Sequence, residues 1–505
     1  MTNLSAFHSY LKSAGLDTKP HQVEGVKWCL SNELNGHSVR SDGGVVRGGL
    51  IADEMGLGKT IQIIGVMLCN FKRNTLIVVP RAILEQWSNV FRTTTGHRPL
   101  IYHGAEKNEV TCSMLRTSPV VITTYGMVAT RNTGLSLLHK IKWHRVVFDE
   151  AHHIRNYDTK VHRGSVKLKA KIRWLITGTP IQNSKKDFYS LCAAIGIPNE
   201  FYLNQSNLET IVQKFVLKRS KKSIGLKLPP LCSVTTKVDW KDDAERQFAA
   251  DVHSMLSFSG INGNKSFGNT ATLMCGEFPL VTLLRARQMC VYPSMLRSKL
   301  KDMVVAGNIE ETTTLHDVFT SSSKIDSVVE KVLQRKNNNR SKLIFCHYRD
   351  EIDVIKMRLV RGGMHVETFD GRTPQCERNE IITNKCDVLI LQIQTGCEGL
   401  NLQHFSEVYF VSPHWNPAVE DQAVARCHRI GQTRPVDVFR FQMVGFGSKD
   451  DAESNNCNDE GICNDDGICN EDDDCETFTI DAYAGEVQES KRTLREMLET
   501  TDIKD

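Results

Sequence analysis

Short, continuous apolar runs alternate with helical stretches along the first half of the chain. LIVV at 76–79, VVIT at 120–123, RVVF at 145–148 and WLIT at 174–177 each end at a polar or Gly/Pro-containing turn. Unbroken Val/Ile runs of this length suit strands covered on both faces of a parallel sheet, because an exposed face would place polar residues at alternate positions. Helical stretches between them predict a repeated βα unit. The rhythm then changes. Residues 236–280 read as helical with an interruption, and SFSGINGNKSFGNT at 257–270 reads as a loop rich in Gly, Ser and Asn. A polar linker is expected around 305–323, ending in TSSSK. A second α/β series follows at KLIFC (342–346), HVETF (365–369), DVLILQI (387–393) and VYFVS (408–412). EVQESKRTLREMLET at 486–500 has helical spacing and is expected to pack back onto this second series. The pattern predicts an α/β protein of two lobes. The first spans 1–235, a helical insertion and linker spans 236–323, and the second lobe spans 324–505. In such folds ligands gather at the carboxyl ends of the strands, so the polar residues after each run are the candidates for chemistry.

Composition narrows the class. With 40% hydrophobic and 24% charged residues in 505, the chain is ordinary for a globular protein of several domains. It has no apolar run long enough for a transmembrane helix, and MTNLSAFHSYLKSAG lacks the basic start and long apolar stretch of a secretory signal. Most of the 16 cysteines are scattered singly, as at Cys69, Cys192 and Cys290, which reads as reduced thiols inside a cell. Residues 450–476 hold twelve Asp and Glu and no Lys or Arg; without them the net charge of +4 becomes +16. A basic body suits a polyanionic partner. The same region carries a tandem repeat, CNDEGI, CNDDGI, CNEDDD, with cysteines at 457, 463, 469 and 475. Its even spacing is unlike a zinc site and its carboxylates crowd any such site with charge, so it reads as a solvated acidic loop.

Four segments carry candidate chemistry. In DEMGLGKT (53–60), Gly56 and Gly58 allow backbone N–H groups to turn inward onto phosphate oxygens. Lys59 can reach the β- and γ-phosphates, the Thr60 hydroxyl can ligate Mg²⁺, and the helix that follows points its positive end at the same place. The strict GxxxxGK[ST] pattern is not met, because Asp53 stands at the first glycine position, followed by Glu54, Met55 and Leu57 in the loop. VVFDEAHH (146–153) delivers Asp149 and Glu150 to a strand end, one suited to the hydration shell of Mg²⁺ and the other to polarising an attacking water. LITGTPIQN (175–183) places Thr177, Thr179 and Gln182 where they can sense the γ-phosphate. Gln422, Arg426 and Arg429 recur at i, i+4 and i+7, which predicts one helical face able to meet a transferring phosphate.

Taken in order, these blocks resemble the superfamily 2 helicase-like ATPases of the Swi/Snf chromatin-remodelling branch. KPHQVEGVKW (19–28), LIVVPRAILEQW (76–87), VVITTYGMV (120–128), DEAHHIRN (149–156), FVLKRSKKSIGLKLPP (215–230), LLRARQMCVYPSML (283–296), GCEGLNLQ (396–403) and HWNPAVEDQAVARCHRIGQ (414–432) carry the likeness over almost the whole chain. Its compact length resembles that of the baculoviral global transactivators. The resemblance implies two RecA-like lobes, ATP with Mg²⁺ between them, and double-stranded DNA as partner, with nucleosomes or the transcription machinery beyond it. It implies Gln22 at the adenine, Asp149 and Glu150 as catalytic acids, Arg426 and Arg429 as arginine fingers, and DNA contacts at Pro80, Arg81, Thr123, Thr124, Tyr125, Gly396 and Asn401. Transcription regulation in a nucleus is the implied setting, with KRSKK (218–222) readable as an import signal or as part of its family block. Where Gly396-Cys397 stands, members of the family often carry paired glycines, so Cys397 adds a side chain at an expected DNA turn, and Glu398 places a negative charge beside it. Two other readings stay open: an ATP-switched DNA- or chromatin-binding scaffold with little translocation, and an RNA-directed helicase. Oligomeric state is not legible.

Overall fold

All four apolar runs of the first half become strands of one parallel sheet. In the computed structural model these are β1 (Gly48–Ile51), β2 (Thr75–Val79), β3 (Leu100–Tyr102), β4 (Val120–Thr124), β5 (Lys142–Asp149), β6 (Lys169–Ile176) and β7 (Val216–Leu217). Their order is β3-β4-β2-β5-β6-β1-β7, every pairing parallel. Every residue of β1, β2 and β4 is buried, as expected of strands with helices on both faces. The described residues are 4–39, 43–130, 134–178, 185–259, 270–276, 278–310, 312–374, 377, 380–381, 384–396, 400, 402–446 and 478–500. The acidic cysteine repeat, Thr179, Gln182, Cys397, Glu398 and Asn401 lie outside them.

A second parallel sheet holds β8 (Leu231–Val238), β9 (Ser341–Cys346), β10 (Val366–Phe369), β11 (Val388–Gln392), β12 (Phe405–Phe410) and β13 (Val436–Met443), in the order β8-β13-β12-β9-β11-β10. The edge strand β8 pairs with β13 from Leu231↔Val436 to Val238↔Met443. The expected boundary between 235 and 236 falls inside β8, so the chain has entered the second sheet before that point. The alternation of β8 is hard to read because it is an edge strand, with Leu231 and Val234 about half exposed.

The expected helical insertion is not a separate layer. Val238, Phe248, Met289, Leu315, Phe319, Ile344, Tyr409, Phe441 and Ile480 share one apolar core, so the helices between Asp243 and Val318 bury their faces on the second sheet. The stretch expected as a linker contains the helix Thr313–Val318, capped by the Thr312 hydroxyl at 3.2 Å from the Leu315 amide. Leu315, Val318 and Phe319 are at most 4% exposed. These three residues fall at i, i+3 and i+4, but a single such triplet is too short a window for periodicity to reveal a six-residue helix, and tertiary burial decides it.

Five helices matter below: α1 (Pro20–Leu34), α2 (Lys59–Cys69), α3 (Leu84–Thr95), α4 (Pro417–Cys427) and α5 (Ile480–Thr500). Proline opens α1, where its missing N–H costs nothing. Glu33, near the end of α1, is buried and accepts from Arg145 Nε and Nη2 on β5 (both 2.6 Å), Trp174 Nε1 on β6 (2.8 Å) and Asn70 Nδ2 (2.7 Å). This locks α1 to the sheet and brings its other end to the loop 52–58, where His21 and Gln22 meet the Leu57 carbonyl. α5 closes on the second lobe: Asp481 pairs with buried Lys324, Gln488 donates to Glu420 (2.7 Å) and Lys491 to the Trp415 carbonyl (3.0 Å).

Candidate active site

β1 ends at Ile51 and the chain turns through 52–58 into α2. Gly56 (φ +91°) and Gly58 (φ +82°) occupy left-handed backbone, which glycine adopts without strain. A Cβ on Gly58 would stand 2.3 Å from Gln22 Nε2, and one on Gly56 would stand 3.1 Å from Arg429 Cβ. The loop is thus pressed between α1 and the second lobe. No side chain caps α2, so its first-turn amides face the cleft unclaimed by a cap. Lys59 Nζ donates to the Asp53 carbonyl at 2.8 Å; burial pulls its pKa down while the charges of Glu150, Asp53 and Asp149 oppose the fall.

Asp53 does not offer its carboxylate to the cleft. It is fully buried and held by Arg219 (Nε 3.0 Å, Nη2 2.5 Å) and Gln62 Nε2 (3.0 Å). The non-glycine at the first position of the phosphate loop is therefore a buried anchor for Arg219, and the two residues together brace the loop from behind. Glu54 is held similarly: its Oε2 accepts the Lys221 amide at 2.7 Å and its Oε1 pairs with Lys221 Nζ at 3.1 Å. Gln22 Nε2 (3.2 Å) and His21 Nε2 (3.1 Å) both meet the Leu57 carbonyl.

β5 delivers the acid pair. Asp149 Oδ2 accepts Trp87 Nε1 at 2.8 Å and Oδ1 accepts the Glu150 amide at 3.0 Å. Burial, with the Glu150 charge beside it, raises the Asp149 pKa to about 7, and the indole bond works against that rise. A cation bound there would restore the carboxylate. Glu150 has φ +50°, a conformation rare outside glycine that concentrates at functional sites. Burial favours its neutral form, but His152, Arg426 and Lys59 outweigh burial and hold its pKa well below the usual range. Arg426 Nη2, from α4 of the second lobe, lies 3.3 Å from Glu150 Oε1, and His152 Nδ1 lies 3.5 Å from Oε2.

The expected single helical face bearing Gln422, Arg426 and Arg429 does not exist as such. α4 stops at Cys427, because His428 turns out of helical backbone and its Nε2 meets the Pro229 carbonyl at 2.8 Å. Gln432 Nε2 then takes the Cys427 carbonyl at 3.3 Å. Arg429 reaches the cleft from the turn beyond the helix. Its pKa is lowered by burial and by Arg426, and its Nε is buried without a hydrogen bond. Gln422 is buried one turn before Arg426 and does not line the cleft.

The cleft, about 770 Å³ with its open mouth, is lined by Met55, Gly56, Gly58, Lys59, Thr60, Asp149, Glu150, Arg426 and Arg429, all expected. Ile83, Gln86, Trp87, Val90 and Ala425 complete it and were not expected. Thr177 lies buried beneath, its amide donating to the Ile51 carbonyl at 3.1 Å. Gly178 follows it, where a Cβ would stand 3.3 Å from Lys59 Nζ. Pro80–Arg81 follow β2 and Thr123–Tyr125 close the adjacent β4, with Val79 opposite Thr124. Of these only Arg81 is exposed, since the Thr123 hydroxyl donates to the Tyr102 carbonyl (2.7 Å) and Pro80, Thr124 and Tyr125 are buried. Gly396 ends the short helix Ile393–Gly396 after β11. Arg219, Lys221 and Trp87 were missed as site residues, although the blocks containing them were singled out; their pairing partners are too far along the chain for local spacing to show. KRSKK accordingly contributes Arg219 and Lys221 to the phosphate loop.

The SNF2-related domain family matches residues 21–201, and the helicase conserved C-terminal domain family matches 323–431. The chain belongs to the SNF2 family. Among SNF2-family relatives, it is 29% identical over 455 residues to the "Probable global transactivator" of Orgyia pseudotsugata multicapsid polyhedrosis virus, covering 83% of this chain and 85% of that protein. It is 27% identical over 483 residues to "ATP-dependent DNA helicase DDM1" of Arabidopsis thaliana, covering 85% of this chain but 59% of the plant protein. In fold it is similar to the Hef helicase domain of Pyrococcus furiosus, with a TM-score of 0.51 at 17% identity over 86% of this chain and 97% of that one. Among the described residues, no helix is long and apolar enough to cross a membrane.

Proposed function

We propose that this protein is an ATP-driven translocase on double-stranded DNA, acting in the nucleus on transcription or on chromatin and DNA remodelling. The observation that carries the reading is the cross-lobe approach of Arg426 to Glu150, at 3.3 Å, in the cleft that also holds Lys59. A site assembled from both lobes is complete only when they close, so events at the nucleotide and motion between lobes are linked. The viral and plant relatives, named as a probable global transactivator and an ATP-dependent DNA helicase, point the same way.

In this reading Gly56, Gly58 and the first turn of α2 bind the phosphates through amides, and Lys59 leaves the Asp53 carbonyl to reach them. Thr60 and Asp149 would hold Mg²⁺, whose charge offsets that of the phosphates. Glu150, kept ionised, takes the proton of the attacking water. Arg426 and Arg429 then meet the charge on the transferring phosphate, a contribution of roughly 10³–10⁵ in rate in comparable enzymes. Gln22, which fixes the loop through the Leu57 carbonyl, would read the adenine edge. Loss of the γ-phosphate removes what draws the arginines in, and the lobes part. DNA gripped through its phosphates at Arg81 and the neighbouring strand ends would advance with each cycle.

Steady-state hydrolysis of ATP by the wild type and by Lys59→Ala, with no nucleic acid, duplex DNA, single-stranded DNA or RNA, tests this. Hydrolysis that rises with duplex DNA and vanishes in the variant is expected. Equal rates with and without duplex would sink the proposal, and stimulation by RNA alone would replace it with the RNA-directed reading.

A further inference from the structure

Two aromatic side chains join the acid pair to the strand ends expected to face DNA. Arg81 begins a short 3₁₀ turn, Arg81–Ile83, that runs without a break into α3. Trp87, in the first turn of α3, is 2% exposed and donates through Nε1 to Asp149 Oδ2 at 2.8 Å. With Oδ1 held by the Glu150 amide, both oxygens of Asp149 are anchored and the carboxylate cannot rotate freely. Tyr125 directly follows Thr124 at the end of β4. Its hydroxyl donates to the Asp149 carbonyl at 2.6 Å. That carbonyl precedes Glu150, whose left-handed backbone persists only because its surroundings hold it. The Tyr125 ring stacks on His153 (centroids 5.0 Å), His153 on His152 (4.7 Å), and His152 faces Glu150. Each acid is thus reached from one of two neighbouring strand ends.

We infer that Trp87 and Tyr125 are positioning residues through which polynucleotide docked at exposed Arg81 and at the neighbouring turn beyond β4, where Gly126 is exposed, sets the geometry of Asp149 and Glu150, and so raises the rate of hydrolysis. The inference rests on the function proposed above. Neither side chain needs to touch DNA or ATP for this. Arg81 opens the 3₁₀ turn that abuts α3 at Ile83, six residues before Trp87, so this short link is the route by which a displacement at Arg81 reaches the indole. A misplacement of about 1 Å in a catalytic group costs on the order of a hundredfold in rate, so a small displacement suffices. If the two rings were only filling space, their polar atoms would not matter: Trp87 also stacks on Phe91 (6.2 Å) and Tyr125 on Phe148 (6.5 Å).

The test uses the full chain as wild type, Trp87→Phe and Tyr125→Phe, both of which keep a ring and lose the hydrogen bond. ATP hydrolysis is measured across ATP concentrations with and without saturating duplex, and duplex affinity by fluorescence anisotropy. The expected result is a fall of about tenfold or more in duplex-stimulated kcat in at least one variant. KM for ATP and duplex affinity should stay within about twofold of wild type, because positioning acts on chemistry more than on binding. Variants stimulated as strongly as a stimulated wild type would overturn the inference alone, as would a loss confined to duplex affinity. A wild type that hydrolyses ATP without responding to duplex would remove the proposed function and this inference together. Matching thermal midpoints guard against misfolding, and one folded variant is enough to decide.

Discussion

Glu33 accepts four hydrogen bonds in a site closed to water, and its partners come from residues 70, 145 and 174. Removing it by Glu33→Ala would leave Arg145 buried and uncompensated, which costs about 3–5 kcal/mol. The check is urea or thermal unfolding, in which the first-lobe transition should move to lower denaturant while the second-lobe core stays put. Gly58 makes the opposite kind of prediction. Its φ of +82° and the nearness of Gln22 penalise any side chain in this cleft-lining turn, which lies outside the apolar cores of both lobes. Gly58→Ala should therefore fold normally and lose nucleotide affinity, read by titration with a fluorescent ATP analogue. Only the glycine stands in a block read from the sequence; Glu33 lies between two of them, at a position with no local signal. A positive-φ turn is a local property, whereas the partners of Glu33 are up to 141 positions away.

Lys221 ties together two elements that the sequence presents as unrelated. Its ammonium lies 3.1 Å from Glu54 in the phosphate loop and 3.2 Å from the His428 carbonyl, between the two cleft arginines. The segment 218–222 is thus a strap from the nucleotide loop to the turn beyond α4. Lys221→Ala should lower kcat for ATP several-fold while Lys221→Arg restores most of it, measured with saturating duplex; equal rates in all three would show that the strap carries no coupling. α4 itself shows where spacing misleads. An i, i+4, i+7 series predicts one face, but the helix ends between the second and third members because His428 and Gln432 form tertiary bonds there. The strands, by contrast, were read well: a run such as Leu76–Val79 is apolar throughout, and only a position covered on both faces tolerates that.

Taken whole, the molecule is a basic body carrying a concentrated acidic segment, +16 against twelve negative charges. If DNA is held through its phosphates, affinity should fall steeply with salt and vary little with sequence. Between about 50 and 200 mM salt a protein making roughly 6–10 phosphate contacts loses on the order of 10³–10⁵ in affinity. Anisotropy titrations over that range, on two duplexes of unrelated sequence, check this; a flat salt response would argue against phosphate grip.

By itself the sequence determined the class of fold and the strands of both sheets that are apolar throughout, and it singled out the glycine turn at 53–60 and the carboxylates at 149–150 that line one cleft. Each of these is a local pattern: a buried run, a glycine turn, two carboxylates at a strand end. Only the tertiary structure decided that β8 joins the second sheet, that 313–318 is a helix in its core, that Asp53 serves Arg219, and that Arg426 stands against Glu150. Those outcomes depend on contacts between residues far apart in the chain, where burial and charge pairing overrule local preference and no spacing along the sequence records them.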